Sequence, residues 1–193
     1  MERIELKMPA EIKVDPAEVM RYMRLCGGDV EIEKRVRELI PEVSRSFLPK
    51  AAAMKAVVRA EPDGVRMEHL MLGGQALKKH LEGCREAVLF AATIGPGADR
   101  EIARRSAGSA LDGWIADCVC TAAAERLCDE ICAQLPPKQR SRFSPGYGDL
   151  PMDCQGEILT ALGAMKYAGI ALTQGMMMVP AKSVTAIVGL ITE

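Results

Sequence analysis

The chain has 193 residues, with 25 basic and 26 acidic side chains and a formal net charge of −1. This balance excludes a strong electrostatic attraction to nucleic acid or to an anionic membrane. The length suits a domain with a sizeable core and is too short for a complete multi-module enzyme. Residues 1–15 carry charges throughout, and no apolar run approaches the roughly 20 residues of a spanning helix. We therefore expect a cytoplasmic protein with no nucleic-acid or membrane partner.

In the first half of the chain we expect a short strand or arm at residues 1–14, followed by two helices at about 15–25 and 29–47. A hairpin formed by residues 53–60 and 64–70 and a short helix at 74–81 should follow. Residues 15–18 (DPAE) are a typical helix start, with Asp as N-cap and Pro at the first position. That helix should stop at Gly27-Gly28, and residues 61–64 should form the hairpin turn. His69 and His80, the two histidines, have no ligand-type neighbours at suitable spacing, so we interpret both as ordinary polar positions.

In the second half we expect a strand at residues 86–94, a helix at 98–106 and a long helix at 109–135. Another helix at 152–168 and three short strands at 170–173, 176–179 and 183–191 should follow. The run at 86–94 (EAVLFAATI) is almost continuously apolar, which suits a central strand buried on both faces. The helix at 152–168 should turn Ile158, Leu159, Leu162 and Met165 inward and end at Gly169. Residues 176–178 (MMM) fit adaptable core packing better than a cofactor-binding segment.

The long helix carries an apolar stripe at three- and four-residue steps, formed by Leu111, Trp114, Ile115, Cys118, Ala122, Cys128, Ile131 and Cys132. Glu125 lies seven residues from both Cys118 and Cys132, which places it on this stripe. A carboxylate there must be paired, protonated or bound to a ligand. The sequence leaves two possibilities open for Glu125: an ion pair with an arginine from another element, or contact with a ligand.

The seven cysteines are an odd number in a chain that we expect to be intracellular, so a disulfide framework is not predicted. Cys128 and Cys132 lie four residues apart on one helical face and could form half of a metal site. No second pair follows at zinc or iron–sulfur spacing, and free cysteine is commonly buried as a small hydrophobic residue. We therefore predict no metal site.

The most informative segment is the polar loop at residues 142–151 (RFSPGYGDLP). Pro145-Gly146 suits the centre of a type II turn, since Pro presets φ and Gly accepts a positive φ. The turn should direct Arg142 and Tyr147 to its two sides, and Gly148 should leave room for a ligand near the backbone. A planar cation, an aromatic face and bare peptide groups could hold a nucleoside that carries a carboxylate. The alternative is a surface loop with a routine ion pair.

At these residues the sequence resembles the activation (reactivation) domain of cobalamin-dependent methionine synthase. The resemblance rests on Arg142 followed after three residues by Gly146-Tyr147, then a helix, then residues 169–173 (GIALT) and 178–184 (MVPAKSV). It covers about the last fifty residues clearly, and it is closest to the short, free-standing form of the domain. An Ala-Glu step on the helix before the loop also matches, at Ala124-Glu125.

The resemblance agrees with the fold class that the order of elements predicts. That class is α+β, with a twisted, largely antiparallel sheet flanked by helices, including the long helix at about 109–135. We expect a single domain over residues 1–193, with an N-terminal helical part at about 15–48 and an α+β core at about 53–193.

The resemblance also implies a function. The family's domain binds S-adenosylmethionine and presents its methyl group to cob(II)alamin held by a partner, a cobalamin-dependent methionine synthase or related corrinoid protein. Flavodoxin or a similar donor supplies an electron. The chain would then be a reactivation component of a methyltransferase system, with no catalytic residue of its own.

Carried over to this sequence, the resemblance implies a ligand site around the 142–151 loop. Arg142 would hold the ligand's carboxylate, and Glu125 would meet its polar or cationic end. Gly146 and Tyr147 would shape the pocket, with Ser144 and Pro145 in the same turn.

The sequence departs from the fused form of the family in three respects. We expect it to lack the aromatic-rich tail that continues past the last strand in the fused form. Residues 148–151 (GDLP) stand where the fused form has acidic and histidine residues after its Gly-Tyr-Pro, and no residue can be matched to an N-terminal aspartate that touches the ligand in the family. A second hypothesis is therefore an accessory protein that docks on a corrinoid methyltransferase without binding S-adenosylmethionine. A third, a small-molecule enzyme unrelated to cobalamin, would require polar residues that the sequence does not show.

Overall fold

A computed structural model describes residues 1–25 and 29–191 of the chain. Its strands are β1 (Glu2–Ile4), β2 (Lys50–Glu61), β3 (Gly64–Met67), β4 (Leu70–Gly73), β5 (Cys84–Thr93), β6 (Ala171–Leu172), β7 (Met178–Val179) and β8 (Ser183–Ile191). Its helices are α1 (Pro16–Tyr22), α2 (Val30–Ser44), α3 (Gln75–His80), α4 (Pro96–Gly108), α5 (Ala110–Cys132), α6 (Cys154–Leu162) and α7 (Ala164–Ala168). The predicted stop at Gly27-Gly28 lies outside the described residues.

The main sheet has six strands, with the order β4-β3-β2-β5-β8 and with β1 also paired to β2. Every pairing in it is antiparallel. A separate ribbon joins β6 to β7. Helices pack against the main sheet, so the predicted α+β class with a largely antiparallel sheet is confirmed.

The central strand β5 is buried on both faces, as its continuous apolar sequence predicts. Phe90 and its alternate neighbours belong to the cluster under α1, α2 and α5. Leu89 and its alternate neighbours belong to the cluster under α3, α6 and α7. Because successive side chains of a strand point to opposite faces, one strand supports both layers of helices. The long helix α5 is therefore held against one face of the sheet.

Helix starts follow the capping residues that the sequence offers. Asp15 accepts a hydrogen bond from the Ala17 backbone N–H at 2.9 Å, and Pro16 is the first residue of α1. Asp29 accepts from the backbone N–H groups of Glu31 and Ile32 at the start of α2. Each carboxylate satisfies donors that the first helical turn leaves unpaired. The predicted starts of both helices are confirmed.

Two predicted elements are each divided in the structure. The strand expected at 64–70 is the hairpin β3–β4, which turns at Glu68 with φ 57°. The helix expected at 152–168 is broken at Gly163, where φ is 60°. Glycine adopts this left-handed conformation without strain, and a residue in this conformation ends a regular helix. Helix α6 therefore ends at Gly163, and the chain continues as the separate helix α7. Met165, predicted to face inward, is consequently 69% exposed.

Other expected core residues are also exposed. Leu111 and Trp114, at the start of α5, lie at the solvent-facing side of the helix. Met177 lies in the connection between β6 and β7 and is 69% exposed, whereas Met178 packs against the core. Helical spacing predicted these two α5 positions wrongly, because the buried face at the start of the helix is formed by Gly113, Ile115 and Ala116. The methionine run supplies core packing mainly through Met178.

Among the described residues, no helix combines the length and the apolar character needed to cross a lipid bilayer.

Candidate functional site

The backbone around Arg142 is held in place by the last strand of the sheet. Arg140 N–H donates to the Gly189 carbonyl at 2.8 Å, and Phe143 exchanges backbone hydrogen bonds with Ile187 at 2.8 and 2.9 Å. Residues 139–143 therefore run along β8 as a short antiparallel extension of the sheet. Since adjacent residues of extended backbone face opposite ways, Arg142 and Phe143 point to opposite sides.

Arg142 reaches helix α5 and pairs with two carboxylates there. Its Nη2 atom lies 2.9 Å from Glu125 Oε2 and 3.1 Å from Asp129 Oδ1. Its Nη1 atom also lies 3.4 Å from the Glu125 main-chain oxygen. Glu125 is half-exposed, so it lies at the edge of the apolar stripe, not fully on it. Of the states expected for this carboxylate, the structure shows the ion pair.

The guanidinium of Arg142 lies close to the Cys128 thiol. Burial alone would lower the pKa of Arg142, but the Glu125 and Asp129 carboxylates act in the opposite direction, and the net pKa is raised. Burial raises the pKa of the Cys128 thiol to about 12 although Arg142 opposes this change. Arg142 is therefore a permanent cation, and Cys128 is a neutral thiol at physiological pH. Within the described residues, no group of three or more His, Cys, Asp or Glu side chains is arranged to hold a metal.

The loop after Phe143 contains the predicted turn. Tyr147 N–H donates to the Ser144 carbonyl at 3.0 Å across Pro145 and Gly146, and Gly146 has φ 87°. These values match a type II turn, which requires a positive φ at its third residue. A second turn follows, in which Leu150 N–H donates to the Tyr147 carbonyl at 3.0 Å.

Gly148 does not leave the room for a ligand that the sequence suggested. Its φ is 56°, and a Cβ atom added to it would lie 2.5 Å from the Cβ of Ala76 on α3. The close approach at this glycine is therefore made by helix α3. Glycine is needed there because any side chain would push the loop away from that helix.

Two polar side chains fix the loop to α3. The Asp149 carboxylate accepts hydrogen bonds from the backbone N–H groups of Gln75 at 2.7 Å and Ala76 at 2.9 Å. His80 Nε2 lies 2.8 Å from the carbonyl oxygen of Ser141, the residue before Arg142. Sequence interpretation treated His80 as an ordinary polar position and missed both roles. Asp149 caps helix α3 from a loop that is distant in sequence, so no local sequence pattern before α3 could predict this cap.

The Asp149 contacts predict a pH dependence of stability. Hydrogen bonds from Ala76 and Gln75 lower the pKa of Asp149 below its ordinary value of 3.8. Because the folded-state pKa is the lower one, the stabilisation is complete above pH ~4 and is lost as the pH falls through the folded pKa. We expect Asp149→Asn to reduce the acid-induced loss of stability, measured by urea unfolding between pH ~2 and 6. An Asp153→Asn variant, whose helix start has no side-chain cap hydrogen bond, is the control and should keep the wild-type slope.

Tyr147 lies with the aromatic residues on the other side of the segment. Its ring packs edge-on against Phe143 at a centroid distance of 5.8 Å, and Phe143 lies 5.0 Å from the His80 ring. Tyr147 is 56% exposed, so it remains accessible to a ligand or partner. The structure thus brings Arg142 and Glu125 into contact and places Ser144, Pro145, Gly146 and Tyr147 in the adjoining turn.

A cavity of about 450 Å³ adjoins the Arg142 cluster on the α1 side of α5. Its lining includes Glu125 and Asp129 from α5 and Tyr22 from α1. It is completed by Lys13, Val14, Asp15, Glu18, Ala122 and Arg126. Its volume is in the range of small-molecule sites, and its carboxylates and aromatic ring suit a ligand with a cationic group and an apolar part. Asp129 was missed from the sequence, although its four-residue spacing from Glu125 places it on the same helical face.

The fold and this site define an α+β domain with a candidate pocket between its long helix and its N-terminal helix. No protein-family model matches the sequence, and no curated protein matches it. Among solved structures, the fold is similar to that of the MetH reactivation domain bound to AdoHcy, with a TM-score of 0.68. The two chains are 12% identical, and the match covers 94% of this chain and 79% of the other. At this identity the likeness shows a shared fold.

Proposed function

We propose that this chain is an S-adenosylmethionine-binding activation subunit that supports reductive methylation of cob(II)alamin in a separate cobalamin-dependent methionine synthase. The observation that carries the proposal is the Arg142–Glu125–Asp129 cluster beside a cavity, in a fold similar to a reactivation domain bound to AdoHcy. The sequence pattern around Arg142 and Tyr147 supports the same function.

The described residues fit such a ligand. A guanidinium can hold a carboxylate through two parallel N–H···O bonds, and Arg142 is the cation of the cluster. Glu125 and Asp129 suit an ammonium or sulfonium group, because an opposite charge at short range offsets the cost of partial desolvation. Tyr22 offers an aromatic surface inside the cavity.

In this proposal, the chain binds and orients while its ligand and its partner supply the chemistry. S-adenosylmethionine supplies an activated methyl group, the partner holds cobalamin, and flavodoxin or a similar protein donates an electron. Arg142 fixes one end of the ligand, so that its position is set before the partner arrives. The turn at Ser144–Tyr147 would border the bound ligand.

A second function is favoured by a different observation. Arg142 already has two carboxylate partners in the free chain, as expected of an ion pair that only stabilises structure. Exposed apolar side chains at Tyr147, Met152 and Met177 could contact a protein. These features suit an accessory that docks on a corrinoid methyltransferase without binding S-adenosylmethionine.

Calorimetric titration of the purified chain separates the two functions. We expect saturable binding of AdoHcy and of S-adenosylmethionine, with a dissociation constant below the millimolar range and a matching rise in melting temperature. Adenosine, which lacks the amino-acid end, should bind more weakly. Absence of heat and of a thermal shift at millimolar ligand would contradict the proposed function. Co-purification with a corrinoid methyltransferase would then support the accessory function.

A further inference from the structure

The ion pairs of Arg142 converge on one nitrogen atom. Glu125 Oε2 and Asp129 Oδ1 both lie within 3.1 Å of Nη2. A guanidinium offers two edges for bidentate capture of a carboxylate, Nη1 with Nη2 and Nε with Nη2, because Nη1 lies on the side of Cδ. Both edges include Nη2. A ligand carboxylate therefore cannot bind in either bidentate mode until one protein carboxylate moves away.

Asp129 is the carboxylate that can leave more easily. Its distance to Nη2 is 3.1 Å, against 2.9 Å for Glu125, and its side chain is 61% exposed, against 43%. Glu125 is held at a second point, since its main-chain oxygen lies 3.4 Å from Nη1. Displacement of Asp129 thus opens an edge of the guanidinium while the Glu125 contact is kept.

The charge of the cluster determines which ligand can make this exchange. One guanidinium faces two carboxylates, so the cluster has a net negative charge before any ligand enters. A ligand that brings only a carboxylate adds a second negative charge and leaves Asp129 unpaired. A ligand that also carries an ammonium group on the adjacent carbon adds no net charge and supplies a new partner for Asp129.

The other charges near Asp129 do not remove this requirement. Arg126 also lines the cavity, but its Nε lies 3.1 Å from Glu130, with which it forms an ion pair. Lys13 is a further cation of the lining, and Asp15 and Glu18 are acids that repel an anionic ligand. The lining therefore favours a ligand with a cationic group beside its carboxylate.

Resting on the proposed function, we infer that Asp129 is a specificity-determining residue that restricts the Arg142 site to ligands with an α-amino-acid end. In the free chain it occupies Nη2, and in the complex it receives the ligand's ammonium group. Glu125 remains the fixed partner of Arg142.

The test compares AdoHcy with its deaminated analogue, which keeps the carboxylate and lacks the amino group. Binding of both is measured by calorimetry to wild type, Asp129→Asn and Asp117→Asn. Asp117 is the matched control, because it lies on the same helix, carries the same charge and pairs with Lys182, and neither residue lines the cavity. We expect the preference for AdoHcy over the analogue to fall about fivefold or more in Asp129→Asn and to stay unchanged in Asp117→Asn.

The possible outcomes distinguish the inference from the proposed function. If wild type binds AdoHcy and Asp129→Asn keeps the full preference, the role of Asp129 is refuted while the proposed function stands. If neither wild type nor Asp129→Asn binds AdoHcy, the proposed function fails, and the inference fails with it. Tighter binding of the analogue by Asp129→Asn would support the inference, because it would show that Asp129 competes for Arg142.

Discussion

Replacing Arg142 with glutamine is expected to weaken AdoHcy binding by about 30-fold or more. Glutamine keeps a polar side chain of similar shape but cannot form a charged, two-bond contact with a carboxylate. Loss of one partner of a close charge pair typically costs about 2–5 kcal/mol, much of it because the other charge is left unpaired. In this variant Glu125 and Asp129 would also face the ligand without their cation. Calorimetric titration measures the change directly.

The matched control is Arg140→Gln. Arg140 lies on the same segment, and its Nη2 donates to the Glu82 main-chain oxygen at 2.9 Å, away from α5. We expect it to bind AdoHcy as wild type does, and both variants to melt within a few degrees of wild type, since partly exposed ion pairs stabilise folding weakly. Equal AdoHcy affinity of wild type and Arg142→Gln would show that Arg142 does not bind the ligand.

Replacing Phe90 with alanine is expected to lower the free energy of unfolding by about 3–5 kcal/mol. Phe90 is fully buried at the centre of β5 and packs in the cluster beneath α1, α2 and α5. Its removal leaves a cavity on the face of the sheet that supports Glu125 and Asp129, so ligand affinity should fall as well. Urea unfolding gives the stability, and the melting temperature should drop by roughly 6–20 °C.

Val57→Ala is the control for this prediction. Val57 lies on neighbouring β2 but is 47% exposed, so its truncation should change stability by about 0.5 kcal/mol or less. A Phe90→Ala protein as stable as the Val57→Ala protein would show that the β5 core is much looser than its burial indicates.

Most of the fold could be predicted because its elements carry local information. Asp15 with Pro16 starts α1, and the apolar run at 86–94 forms a strand buried on both faces. The breaks at Glu68 and Gly163 were missed for a physical reason. A single residue with positive φ redirects the chain without interrupting the hydrophobic pattern from which an element is inferred.

The sequence could predict the parts of the candidate site that lie on one element. It could not predict the contacts that form where several elements meet. The contact between Arg142 and Glu125 joins two predicted residues, but the sequence left open whether Glu125 would meet an arginine or a ligand. Asp149 and His80 fix the loop from positions that are adjacent only after folding. The cavity likewise depends on how α1 packs on α5, which places Asp15 near Glu125. Periodicity describes one helix at a time and cannot give such packing.

The pairing of Phe143 with Ile187 has a consequence for the order in which the protein is assembled during synthesis. Arg142 precedes β8 by about forty residues, yet its backbone is held by hydrogen bonds to that strand. On the ribosome, the loop is therefore translated well before the partner that shapes it. Full ligand affinity should appear only after residues 183–191 have emerged and paired, so ligand binding reports on a completed C-terminal strand.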